Sequence, residues 1–314
     1  MARDPGSEIV TIEGPVWALD IWPELGGALV AARARVDGEW HTITRPVDAD
    51  ALAARDIRRL GGFVMAPFCN RIDQGRFVFD GREVKVPLNW PADTAAAIHG
   101  LSWQRPWSIL ERTATSLTLT QTVDEPGCDL RYDAMVVFQA YGLKPAECLT
   151  TLTVENRGAR KLPYGVGFHP YFRRAPGATL AFTAEGQLVP DARCFPAQWR
   201  QLAPPESAKN GLPVDVFSGI DSSFTGWDRR ARLTFPDIGA AVTIGASESA
   251  KLLHVYVPAP ATSSAAVPNY LCLEPVSHVT DVHNRRQFAS HGDITTLVPT
   301  DTAQMTMGWT VGKI

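Results

Sequence analysis

The chain has 314 residues, with 30 Lys and Arg against 33 Asp and Glu and 45% hydrophobic residues. That is the make-up of a protein with a sizeable core, and it excludes disordered, fibrous and coiled-coil readings. A formal net charge of −3 argues against a partner held through many phosphate contacts, so nucleic acid is not an expected ligand.

The opening segment, MARDPGSEIV, mixes charges with Pro5 and Gly6 and has no apolar run of the kind a signal peptide needs. Five widely spaced cysteines without a C-x-x-C pair, Cys69, Cys128, Cys148, Cys194 and Cys272, fit neither a zinc knuckle nor a disulfide framework. Free thiols and a cytoplasmic location are expected. The first convincing element is a helix over 48–60 (DADALAARDIRRL), capped by Asp48 or Asp50 and closed by Gly61. Next comes a hairpin over 76–86 (RFVFDGREVKV), turning at Asp80-Gly81.

From there the pattern is alternating strands: 116–123, 132–139, 149–155, 232–235, 241–244, 252–257 and 270–273. The stretch from Leu252 to Leu273 carries no Asp, Glu, Lys or Arg, yet Pro258, Pro260 and Pro268 with Ser263, Ser264 and Asn269 make it strand, loop and strand. No membrane partner is expected. With 24 Pro and 25 Gly between short strands and no βαβ rhythm, the expected architecture is all-β. It is a large antiparallel β-sandwich in one domain over residues 1–314.

Four polar pieces stand in apolar or proline-bounded settings. PYGVGFHPYF (163–172) sets His169 among aromatics directly before Pro170, so its backbone is stiff and extended. The imidazole is either a proton donor or a core histidine bonded to a carbonyl. YLCLEP (270–275) puts Glu274 on an apolar strand before a proline that ends it, on one face with Cys272 and Tyr270. Glu274 is either solvated at the strand end or a pocket carboxylate whose pKa burial raises, as suits a general base. Asn70-Arg71, in FCNRIDQG, and His99-Gly100 can each be read as ordinary loop residues. A further set, His278-x-x-Asp281-x-His283, has ligand types for a divalent ion, with a solvated polar loop as the plainer explanation.

Taken in order, these pieces resemble the aldose 1-epimerase (galactose mutarotase) family. The matching stretches are Asn70-Arg71-Ile72 with Gly75, Phe77 and Gly81; His99-Gly100 with Trp107; Gly167 to Phe172; Gly219 to Phe224; and Leu273-Glu274-Pro275 followed by Asn284. The resemblance implies a β-supersandwich whose concave face binds a monosaccharide, an aldohexose or aldopentose, and interconverts its anomers. It further implies Glu274 as the base at the C1 hydroxyl and His169 as the acid at the ring oxygen. Arg71, His99, Asn70 and Asp221 are the implied sugar-binding residues, no metal or cofactor is needed, and the protein is a monomer or homodimer.

Two alternatives share the fold. A hexose-6-phosphate 1-epimerase needs cations for the phosphate, with Arg58-Arg59 and Arg173-Arg174 as candidates; the near-neutral chain fits an uncharged sugar better. A non-catalytic sugar-binding module keeps Asp221 and the aromatics but does not need both Glu274 and His169, whose joint presence counts against it. Nine tryptophans supply candidates for a platform under a pyranose.

Overall fold

The computed structural model describes residues 9–90, 95–203, 211–262 and 266–314. β-Branched and aromatic residues alternating with polar ones pair into two large antiparallel sheets of eleven and nine strands. In the nine-stranded sheet, Ser116–Val123, Tyr132–Gln139, Glu147–Asn156 and Thr302–Lys313 follow one another. Their buried sides include Leu119, Val136, Leu152 and Met305, each at most 0% exposed. These side chains meet Phe172, Val255 and Leu273 from the other sheet in one apolar cluster. Each such side chain removed from water is worth about 1.5–3 kcal/mol, which is why the two faces stay together.

The centre of the eleven-stranded sheet runs Gly62–Met65, Gly167–Arg173, Tyr270–Val276, Leu252–Val257 and Ile220–Thr225. It is covered on both faces. Leu271 and Leu273 point into the sandwich core, whereas Cys272 and Val276 belong to a second apolar cluster on the opposite face, with Phe63, Tyr171 and Leu252. Burial on both sides explains why these strands read as nearly continuous apolar runs.

The strands 116–123, 132–139 and 252–257 have the expected bounds, and the other expected strands extend by one to three residues at their ends. The Asp80-Gly81 hairpin forms, with φ of 48° and 71° at the two turn residues, as a separate two-stranded sheet. Of the Leu252 to Leu273 stretch, both strands are present, and Ser263 and Ser264 lie outside the described residues. No helix among the described residues is long and apolar enough to cross a membrane, and all five cysteines are free.

Three expectations need correction. The helix over 48–60 is shorter: Ala49–Ala53 is α-helical with Asp48 as N-cap, and Ile57–Arg59 is a separate 3₁₀ turn. Arg55 at φ 50° breaks the helix, and Asp56 caps the turn that follows by accepting from the Arg58 N–H at 3.1 Å. Pro275 does not end its strand, which continues to Val276, and Pro170 lies inside another. The register between these two strands passes from Gly167 opposite Val276 to Tyr171 opposite Cys272, with no pairing between. Two prolines without N–H donors are tolerated because the ladder is open there. Finally, the His278 to His283 segment is no solvated loop, since His278, Asp281 and His283 are all buried.

Candidate active site

The open stretch of ladder is where the polar residues collect. The register on either side sets His169 opposite Glu274, and their Nε2 and Oε1 atoms are 3.3 Å apart. On the next strand His254 pairs directly with Glu274, and Ser223 pairs with His254 on the strand after that. Phe63 pairs with His169 on the other side. One row across the sheet therefore reads Phe63, His169, Glu274, His254, Ser223, all on the face away from the sandwich core, because side chains alternate with a period of two.

Each imidazole in the row is held. The His169 ring lies between Phe63, at 4.7 Å between centroids, and Tyr171, at 4.6 Å. His254 is bonded at both nitrogens, Nδ1 to Ser223 Oγ at 2.9 Å and Nε2 to Asp221 Oδ1 at 2.8 Å.

Two loops bring the remaining residues over the row. Asn70 and His99 both adopt left-handed backbone, with φ of 55° and 57°. They lock to each other: the His99 N–H donates to the Asn70 carbonyl at 2.8 Å, and the Asn70 N–H donates to His99 Nδ1 at 3.2 Å. His99 Nδ1 is thus the acceptor, which leaves its proton on Nε2. Arg71 Nη1 donates to Asn70 Oδ1 at 3.0 Å. The loop behind His99 packs so closely that a Cβ on Gly100, at φ 70°, would stand 1.9 Å from the Ala66 carbonyl oxygen. The His278 to His283 segment supports the Asn70 loop from beneath. His278 Nε2 accepts from the Cys69 N–H at 3.0 Å, and Asp281 Oδ1 accepts from the Asp73 N–H at 3.2 Å.

A cavity of about 390 Å³ opens above the row. Asn70, Arg71, His99, His169, Asp221 and Glu274, the six residues singled out from the sequence, all line it. Arg58 and Arg59 line it too, whereas Arg173 and Arg174 do not and are instead paired with Asp237 and Asp215. Sequence reasoning missed His254, Arg45 and Tyr270 at this cavity. The signal for His254 was present, a histidine sharing a strand face with Leu252 and Tyr256 in LLHVYV. Of the tryptophans among the described residues, Trp90 lines the cavity; Trp17, Trp107, Trp227 and Trp309 are core.

Burial dominates the electrostatics. It raises Glu274 to about 8, with Asp221 adding to the effect and His254 and Arg71 opposing it. It lowers His169 to about 3, helped by the charge of His254. The 3.3 Å contact has the geometry of a salt bridge, but both shifts run toward the neutral carboxyl and the neutral imidazole. Burial also pulls His99 well below the usual imidazole range. For His254, burial works against the charged form but is outweighed by Glu274 and Asp221, so its pKa is raised. Asp221 is likewise desolvated, yet the His254 hydrogen bond holds it down at about 2. His169 Nδ1 and Glu274 Oε2 are buried without a hydrogen-bond partner.

Among the described residues, one trio has potential metal-ligating atoms within 4.8 Å of one another: His169, Cys272 and Glu274. Burial raises the Cys272 thiol well above its ordinary range as well as the Glu274 carboxyl. A cation there would displace two firmly held protons.

Two large antiparallel sheets, with a His–Glu pair and polar side chains gathered at a cavity on one sheet face, define a β-sandwich protein with a candidate proton-transfer site. The aldose 1-epimerase family profile matches residues 21–297. The chain belongs to the aldose 1-epimerase family. It is 30% identical over 237 residues to the uncharacterized Escherichia coli K12 protein YphB, covering 76% of this chain and 79% of that one. A crystal structure from Escherichia coli K12, provisionally named an aldose 1-epimerase, superposes with a TM-score of 0.84 at 26% identity, covering 98% of this chain and 99% of that one. The galactose 1-epimerase of Lactobacillus acidophilus NCFM shares the fold at a TM-score of 0.75 and 15% identity, over 100% of this chain and 97% of its own.

Proposed function

We propose that the chain acts as one unit that interconverts the α and β anomers of an aldose, with Glu274 and His169 as the proton-transfer pair. The observation that carries this reading is their 3.3 Å contact on the row beneath the cavity. Ring opening needs one proton taken from the C1 hydroxyl and one delivered to the ring oxygen. The Glu274 carboxylate takes the first and the His169 imidazolium gives the second. The C1–O5 bond breaks and an open-chain aldehyde forms. Rotation about C1–C2 and closure on the other carbonyl face return both protons and give the other anomer, with no net change.

The free pair holds its one proton as Glu274-COOH and neutral His169; the reactive arrangement holds the same proton on His169. The two differ in where the proton lies and not in how many there are, so the pair titrates as a unit. Each positioned group supplies on the order of 10²–10⁴-fold, ample for a reaction that already runs in water.

The other lining residues fit a bound sugar. Asp221, kept ionised by His254, accepts from a ring hydroxyl. His99 donates through Nε2, and Arg71 and Asn70 supply further donors near C1. Two-dimensional NMR exchange between anomer signals tests the reading on a panel of aldoses. Faster exchange than in buffer supports it, and sugar binding without exchange would point to a non-catalytic binding module instead.

A further inference from the structure

We infer that His254 is a positioning residue for the proton-transfer pair: a fixed positive charge, one strand closer to Glu274 than to His169, that drives the proton from the carboxyl to the imidazole. The inference rests on the anomer-exchange reading above and goes beyond it in naming the group that makes the base ionise.

The buried pair starts from the unreactive arrangement. Burial favours the neutral carboxyl on Glu274 and the neutral imidazole on His169, whereas ring opening needs the carboxylate and the imidazolium. A charge equally distant from both groups would oppose one as much as it helped the other. A charge on the carboxyl side alone moves the proton across.

His254 has that position. It pairs directly with Glu274 in the register, on the side away from His169. With about 4.8 Å between strands, it lies about 5 Å from the Glu274 strand and about 10 Å from the His169 strand. Coulomb energy falls with distance, so its charge helps the carboxylate about twice as much as it opposes the imidazolium.

The ring is held so that it carries charge and stays still. Nε2 is bonded to Asp221 Oδ1 at 2.8 Å and Nδ1 to Ser223 Oγ at 2.9 Å, and a charged ring donates at both nitrogens. Neither nitrogen remains for Glu274 or for a sugar. His254 therefore acts on the pair through space.

The other groups facing the pair act differently. Arg71, on the Asn70 loop, draws Glu274 the same way but less strongly. Asp221 acts on both members in the reverse sense, again less strongly than His254. Burial holds Tyr171, Cys69 and Cys272 neutral, and it does the same to His99, which also feels the His254 charge.

Two NMR measurements on the sugar-free protein test this: the ¹⁵N shifts of the His254 ring and the pH titration of the Glu274 carboxyl ¹³C signal. At about pH 6.5, where an ordinary imidazole is half charged, His254 should be mostly protonated at both nitrogens. His254→Gln keeps a donor toward Asp221 but has no charge. In it the Glu274 midpoint should rise by about one pH unit, a tenfold change in ionisation. Its kcat for anomer exchange should fall by about tenfold near neutral pH, with a smaller change in KM, and the high-pH limb should move upward. Ser223→Ala removes one of the two ring partners and should give smaller changes in the same directions.

A neutral His254 ring at that pH overturns this inference alone, and so does a Glu274 midpoint unmoved in folded His254→Gln. A loss confined to KM also overturns it, because it marks His254 as a sugar-binding residue. Should His254→Gln not fold, the Glu274 midpoint in Ser223→Ala takes its place, an unmoved value again overturning the inference. Exchange of no aldose by the unaltered protein overturns the exchange reading and this inference together.

Discussion

His254 stands directly opposite Glu274 in the strand register, on the side away from His169. The carboxyl is therefore flanked by two imidazoles in opposite electrostatic states, His169 pushed down to about 3 and His254 raised by its neighbours Glu274 and Asp221. His254 draws the Glu274 carboxyl back toward ionisation, against the burial that raises it.

Replacing either member of the proton-transfer pair should remove most of the exchange while leaving the fold intact. Glu274→Gln and His169→Asn are each expected to slow it by about 10²–10⁴-fold. The double variant should be little worse than the more damaged single one, because the two groups act as one device. NMR anomer exchange and circular dichroism check this together, and retention of near-full rate by either variant removes its residue from the mechanism.

Stability should depend on pH in opposite senses at the two residues. Glu274 is raised from 4.5 to about 8 on folding, so its contribution is fully present below 4.5 and is lost as pH climbs through the interval to 8. Glu274→Gln should therefore gain melting temperature relative to the unaltered protein as pH rises across that window. His169 is lowered from 6.5 to about 3, so its contribution is present above 6.5 and is lost as pH falls toward 3. His169→Asn should relieve that acid sensitivity. Thermal melts at a series of pH values decide both signs.

The same shared proton shapes the rate. With one proton on the pair between about 3 and about 8, kcat/KM should be level across that range and fall above it, when the proton is lost. Arg71 draws the Glu274 pKa down. In Arg71→Gln the high-pH limb should therefore move upward, alongside a raised KM, and a limb moving downward contradicts the placement of Arg71.

Gly100→Ala should damage the site without touching a charged group. The added Cβ meets the Ala66 carbonyl oxygen at 1.9 Å, on a backbone at φ 70°. A loss of about 1–3 kcal/mol, read from denaturant unfolding, is expected. Exchange should fall further, because His99, the preceding residue, is carried by the same backbone.

Much of this protein is visible in one dimension. Alternation in 116–123, 132–139 and 252–257 marks strands with their observed bounds, because a half-buried strand must place apolar residues every second position. The pieces around Asn70, His99, His169, Asp221 and Glu274 point to one family and to one site, and the structure brings all of them to one cavity. Other features needed neighbours that no local pattern encodes. Pro275 looks like a strand end by itself, and only the open ladder opposite Pro170 lets the strand run through it. His278, Asp281 and His283 look like a polar loop, and only their burial beneath the Asn70 loop shows them as its support.

Charge shows the divide most clearly. By itself, the sequence determined a near-neutral chain with an all-β pattern and motifs that resemble those of one family, since composition and residue order are one-dimensional properties. Which of 24 arginines stand without a carboxylate partner on the cavity wall was decided by the tertiary structure alone. Coulomb interactions depend on distance through space, and folding sets Asp56 and Asp48 against Arg58 and Arg59 while leaving Arg45 on its two tyrosine rings.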